Sequence, residues 1–151
     1  MMVSLILAAV SVVLPSEPTE TERFAADELR HWVKEISGED WTLGGAGTPR
    51  VFVGRACAED VFPNDVAALE GGFGYALRRG KSGDCYLFGA TPKGTLNAVY
   101  GFLRDRCGVR WLDCTEAGTL VPAKPTLAVR EGVTRDAPFT RTRDADVNPE
   151  E

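Results

Sequence analysis

Residues 89–95 read Gly-Ala-Thr-Pro-Lys-Gly-Thr. A glycine-bracketed turn between a strand and a helix can cradle a phosphate on its backbone N–H groups. The phosphate loop places its lysine directly after the second glycine, where the ammonium reaches the β- and γ-phosphates. Here Lys93 precedes Gly94, and Thr95 follows it. The spacing fails at the position that carries the chemistry, so the turn is expected to be a structural helix start. His31 is the single histidine, four residues after Asp27 and four before Glu35. On a helix these three share a face, which could orient an imidazole for proton transfer. The same spacing also gives a solvated charge ladder, the commoner use.

Other catalytic patterns are absent. The sequence has no HExxH and no GxSxG, which removes the helical zinc-protease site and the nucleophile elbow. The carboxylate pairs Asp144/Asp146 and Glu39/Asp40 lie in polar stretches, where a solvated role is the default. Cys57, Cys85, Cys107 and Cys114 show no C-x-x-C spacing. With one histidine, no metal site is expected, and no cofactor is expected either. Disulfides stay open at this point, since four cysteines allow three connectivities. Trp32 and Trp111 are expected to pack in the core. Trp41, beside the Gly44-Gly45-Ala46-Gly47 loop, is the candidate for an exposed glycan contact.

The elements around these residues follow from pattern. The chain has 151 residues, 44% of them hydrophobic, and a net charge of −5. That length supports one domain and one core. The acidic balance argues against nucleic acid as a partner. Residues 1–15 are apolar but too short to span a bilayer as a helix. They lack a basic start and a clear cleavage site, so residues 10–14 are expected to be a strand, with 1–9 either strand or the remnant of an export signal.

Thr19 with Glu22 is a capping-box pattern, and Ala25, Leu29, Trp32, Val33 and Ile36 form an apolar stripe that ends at Gly38. Residues 40–43 and 50–53 read as strands. Residues 61–64 read as a turn, with one helical turn over 65–69. Residues 73–79 and 85–90 flank a glycine-containing loop as a hairpin. Thr91-Pro92 starts a second helix, on which Leu96, Val99, Tyr100, Leu103 and Cys107 share a face and after which Gly108 stops the chain. A strand over 109–112 would complete a strand–helix–strand crossover. Residues 119–121 and 126–130 are further short strands. The polar stretch 131–151 reads as a linker or lead-in. The expected fold class is an α/β (α+β) sandwich: a mixed β-sheet with two main helices packed on it.

Four separated segments carry a resemblance. Residues 89–112 (GATPKGTLNAVYGFLRDRCGVRWL), 24–38, 51–54 and 74–77 are similar to the small α/β domain that precedes the catalytic barrel in bacterial α-glucuronidases and β-N-acetylhexosaminidases, and in related glycan-degrading proteins. The matching residues include Gly89, Thr91, Pro92, Lys93, Gly94, Thr95, Leu96, Val99, Tyr100, Phe102, Leu103, Gly108, Arg110 and Trp111. The resemblance covers roughly residues 10–130. It implies a zincin-like sandwich without its zinc site, as residues 1–130, with 131–151 leading into a (β/α)8 barrel. It implies that the chain is a non-catalytic accessory domain of a secreted or periplasmic glycoside hydrolase, a fragment of a longer protein whose own barrel is its partner. Relatives place a substrate-binding arginine after a Pro-Phe lead-in. Here the spacing from Phe139 admits either Arg141 or Arg143. The competing expectations are an independent carbohydrate-binding module and, third, a small phosphate-ester or nucleotide enzyme.

Overall fold

The computed structural model describes residues 10–69, 72–123 and 134–136. The chain runs β1 (Ser11–Val13), α1 (Glu20–Ser37), β2 (Thr42–Leu43), β3 (Arg50–Val53), α2 (Arg55–Ala58), α3 (Pro63–Ala67), β4 (Tyr75–Arg79), β5 (Cys85–Gly89), α4 (Pro92–Phe102), β6 (Arg110–Trp111), β7 (Thr119–Leu120) and β8 (Thr134–Asp136). Six strands form one sheet in the order β2-β1-β3-β5-β4-β8. β2, β1, β3 and β5 are mutually parallel, and β4 is antiparallel to both β5 and β8. The expected α/β class with a mixed sheet and two main helices is the observed one.

Period-two alternation divides the strands between two cores. Val51, Val53, Tyr75, Leu77, Cys85 and Leu87 face α1 and α4 in the larger core. Their neighbours Phe52, Ala76, Tyr86 and Phe88 face the other way, toward Ala58, Phe62 and Val66. Residues 55–67, expected to be irregular with one helical turn after residue 64, instead form the two short helices α2 and α3. Neither shows a long apolar stripe, because each covers only a few side chains of the second face. Arg78 Nε lies 2.9 Å from Asp65 Oδ2 and its guanidinium stacks over Phe62, which ties α3 to β4.

α1 begins where the capping box places it. The Glu22 N–H donates to Thr19 Oγ1 at 3.2 Å, and the Thr19 N–H donates to Glu22 Oε2 at 2.9 Å. Gly38 closes the helix in the left-handed conformation. α4 packs against α1, and Glu28 joins them. Its Oε2 accepts from Tyr100 Oη at 2.9 Å and from Trp32 Nε1 at 3.2 Å. Burial and this carboxylate together push the Tyr100 hydroxyl well above its ordinary pKa.

Three features depart from expectation. α4 ends in a π-helical turn over Leu103–Cys107 before Gly108, with φ of 85°, stops it. The wider turn keeps both Leu103 and Cys107 in the core. The strand after it does not complete a crossover in the main sheet: among the described residues β6 pairs with β7, as a separate two-stranded ribbon. Lastly, Thr134–Asp136 falls within the stretch read as linker, yet pairs with β4. Edge pairing uses backbone groups, so it needs no apolar periodicity in the added strand. The expected strand at 126–130 lies outside the described residues, as do residues 1–9.

Candidate functional site

The Gly89–Thr95 turn is closed to a phosphate by its own hydrogen bonds. The Gly89 N–H donates to Thr95 Oγ1 at 3.1 Å, and the Ala90 N–H donates to the Gly74 carbonyl at 3.0 Å. The Gly94 N–H donates to Thr91 Oγ1 at 3.1 Å, and the Thr95 N–H to the Thr91 carbonyl at 2.9 Å. Thr91 Oγ1 itself donates to the Gly72 carbonyl. A cradle needs several outward N–H groups aimed at one point, and here four are already engaged. Lys93 is exposed on the helix start. The turn is an N-cap, as its spacing predicts.

The two glycines set a close contact between strand and helix. A Cβ on Gly89 would overlap the Gly94 backbone and Thr95 N. A Cβ on Gly94 would lie 2.5 Å from the Gly74 carbonyl oxygen. The turn thus seats α4 directly on β4 and β5.

His31 is exposed, and its ring meets only the edge of Trp32 among the aromatic contacts, at 4.9 Å. Asp27 pairs with Arg30 at 3.5 Å. The helix face is a solvated ladder. Glu39 accepts from Trp41 Nε1 at 2.9 Å, and Asp40 pairs with Lys34 at 2.9 Å. These carboxylates are engaged in local structure. Asp144 and Asp146 lie outside the described residues, and so do Arg141 and Arg143.

Trp41 corrects the expectation of an exposed indole. It is 3% exposed and belongs to the larger core. Its position just before an edge strand folds the indole inward, and Arg30 Nε holds its carbonyl at 2.7 Å. Trp32, Tyr100 and Trp111 are partly buried and pack against the larger core, as expected for the two tryptophans, and together form a ring cluster at its edge. Their rings meet edge to face: Trp32 and Trp111 at 5.8 Å, Tyr100 and Trp111 at 5.5 Å. Glu28–Trp32 at i, i+4 was the one local signal for this cluster. Its assembly needs α1, α4 and β6 together, which no local spacing reveals.

The ribbon beside this cluster has two faces. Arg110 pairs with Leu120, and Trp111 with Thr119. Alternation therefore turns Trp111 inward to the rings and puts Arg110, Leu112 and Leu120 on the outward face. Leu112 is 70% exposed and Leu120 53% exposed, and Val121 follows them. Phe24, Leu43 and Val61 are also exposed, each on a different element, whereas the ribbon gathers Leu112, Leu120 and Val121 in one place.

All four cysteines are free thiols. Burial pushes the Cys57 thiol up to about 11 and the Cys85 thiol up to about 12, so neither is a ready nucleophile. Among the described residues no group of three or more His, Cys, Asp or Glu side chains could hold a metal. No helix among them is long and apolar enough to cross a membrane.

Asp84 is a buried carboxylate that fastens the hairpin loop to β3. Its Oδ1 accepts the Arg50 backbone N–H at 2.8 Å, and its Oδ2 accepts Arg50 Nη2 at 2.8 Å and Ser82 Oγ at 2.9 Å. Burial works against the charged form, but these hydrogen bonds and the Arg50 charge outweigh it and hold the carboxyl below its usual range. A carboxyl whose folded pKa is depressed adds stability above its unfolded value, about 3.9, and loses it as pH falls through the folded value. Asp84→Asn is expected to cost about 2 kcal/mol at pH 7 through its weakened hydrogen bonds. The deficit should begin to shrink below about pH 4, where the carboxyl of the unfolded chain takes up a proton before the folded one does. Urea melts of both proteins from pH 7 down to pH 3 measure it, and a constant deficit would sink the assignment.

The fold and these sites define a mixed α/β sandwich with no assembled catalytic or metal constellation among the described residues. No protein-family model matches the chain, and no curated protein matches it.

Proposed function

We propose that this chain is a non-catalytic accessory domain of a multidomain carbohydrate-active enzyme, a glycoside hydrolase, and that it packs against a (β/α)8 catalytic barrel. The observation that carries the reading is the outward apolar face of the β6–β7 ribbon, Leu112 with Leu120. An apolar face presented on a short ribbon fits burial against a partner domain better than it fits solvent. The likeness of residues 89–112 to the domain that precedes such barrels supplies the kind of partner. The engaged donors of the Gly89–Thr95 turn disfavour the phosphate-enzyme alternative. Export from the cytoplasm, to the periplasm or beyond, belongs to the same proposal. Glycan recognition by this chain, the other alternative, falls on Trp32, Tyr100 and Trp111 rather than on the buried Trp41.

The test has two parts. The chain alone is expected to hydrolyse no aryl glycoside across a panel of sugars, and turnover of any of them would overturn the accessory reading. Its ribbon should bind an apolar dye, and Leu112→Glu with Leu120→Glu should remove most of that signal while shifting the melting temperature by no more than a few degrees, as for exposed positions. If this chain is joined to a barrel, the joined protein should bind little dye even before substitution. Equal dye binding by the chain alone and by the joined protein would count against a partner domain on the ribbon.

A further inference from the structure

A second apolar feature shares no residue with the ribbon. β2 stands at one end of the main sheet's strand order. Register sets Leu43 of β2 beside Val12 of β1, and residues paired in this way point to the same face of the sheet. That face is the one α1 covers, since Val12 is fully buried in the larger core. Leu43, one strand further out, is 52% exposed. The cover of α1 therefore ends between β1 and β2 and leaves a groove there. An open cleft of about 390 Å3 lies in it, past the carboxyl ends of both strands. That volume is within the range of about 300–1,000 Å3 typical of small-molecule sites. The crevice beyond the carboxyl ends of parallel strands is also where open α/β sheets take ligands.

Val13, Leu14, Pro18 and Leu43 give the cleft aliphatic walls, and α1 adds Arg23 and Asp27. The two charged side chains differ. Asp27 pairs with Arg30 at 3.5 Å, and Arg30 is held in turn by the Trp41 carbonyl at 2.7 Å. Arg23 is exposed, and among the described residues its side chain makes no ion pair and no hydrogen bond. A chain with a net charge of −5 thus presents an unengaged guanidinium beside an aliphatic cleft.

We propose that this cleft binds a short unbranched aliphatic carboxylate, its chain between Leu14 and Leu43 and its carboxylate on Arg23. Burial of the chain takes apolar surface of both ligand and Leu43 out of water, which supplies most of the affinity. The planar guanidinium matches the two carboxylate oxygens with two N–H donors, which fixes the direction in which the chain lies. Because Asp27 is engaged by Arg30, it competes little for Arg23. A groove between a helix and a strand suits a narrow chain better than a branched one. The site is made of this chain alone. It stands whether or not the ribbon packs against a barrel, so the two readings fail separately.

The experiment is a titration of the isotope-labelled chain with hexanoate. Amide shifts are followed up to about 20 mM ligand, enough to saturate a site with a Kd on the order of 1 mM. Hexanoate is expected to give saturable shifts confined to residues 13–27 and 42–44. Butanoate, two methylenes shorter, should bind about 10-fold more weakly. Hexan-1-ol keeps the chain without the charge and should also bind about 10-fold more weakly. Arg23→Gln, at an exposed position, should bring hexanoate down to the affinity of hexan-1-ol. Leu43→Ser should weaken both ligands with an unchanged circular dichroism spectrum. N-acetylleucine carries its carboxylate on a branched peptide unit and should bind more weakly than hexanoate. A flat hexanoate titration, equal affinity for hexan-1-ol, or unchanged affinity in Arg23→Gln would each overturn the proposal. Tighter binding of N-acetylleucine than of hexanoate would overturn it in favour of a peptide C-terminus.

Discussion

Alanine at position 89 is expected to destabilise the chain severely, by more than about 4 kcal/mol. Gly89 is the last residue of β5, and the first turn of α4 lies directly against its Cα. The added methyl would overlap the Gly94 backbone and Thr95 N, so no side-chain rotation can relieve it. The helix would have to lift off the strand. That movement would break the bond from the Gly89 N–H to Thr95 Oγ1, whose residue is fully buried, and open the core around Leu96 and Val99. Steric and polar losses of this kind exceed about 4 kcal/mol. Domains of this size are stable by only about 5–15 kcal/mol. Circular dichroism on Gly89→Ala should show a melting transition lowered by at least about 10 °C, or none at all. Lys93→Ala, exposed on the same turn, is the control and should melt like the wild type. A wild-type melt for Gly89→Ala would mean that strand and helix are not in this contact.

Phe88→Ala is the second large effect, and it tests the other face of the sheet. Phe88 is completely buried, and its ring lies parallel to that of Phe62 with centroids 6.4 Å apart. Tyr86 stacks on Phe52 at 4.7 Å and meets Phe62 edge-on at 5.1 Å. These rings pack with Ala58 and Val66 of α2 and α3 in the second core. Truncation of a buried phenylalanine costs about 3–5 kcal/mol, the removed surface plus the cavity left behind. The small second core has few other side chains to collapse into that cavity. Denaturant melts should give a loss within that range, and hydrogen exchange should quicken in residues 55–67 before it quickens in α1. Uniform acceleration across both helical layers would instead mean that the two cores unfold as one unit.

Much of the fold was legible because the larger core is built from local rules. The capping box at Thr19 and Glu22, the stripe from Ala25 to Ile36 and the Gly38 stop each act within a few residues. The hairpin of β4 and β5 follows from two extended runs and a glycine loop. Thr91-Pro92 starts α4 because both residues satisfy the helix end on their own. The short helix α2 was not legible, and α3 only as a single turn set two residues late, since both are held by Ala58, Phe62 and Val66 against the second face of the sheet. A four-residue helix has too few positions to show a period.

The candidate sites divide along the same line. Sequence alone determined that residues 89–95 lack the phosphate-loop spacing, since the order of Lys93 and Gly94 is a covalent fact. It also determined the fold class, because the succession of periods in the chain admits little else. Tertiary structure decided the surface. Trp41 stands just before a short strand and Trp111 ends one, yet the Trp41 indole is buried in the core and Trp111 stays partly exposed against Trp32 and Tyr100. The difference lies in which sheet each neighbouring strand joins: β2 extends the main sheet under the helices, whereas β6 leaves it to pair with β7. Strand pairing is a long-range choice set by backbone groups and register, and no residue type at either position encodes it.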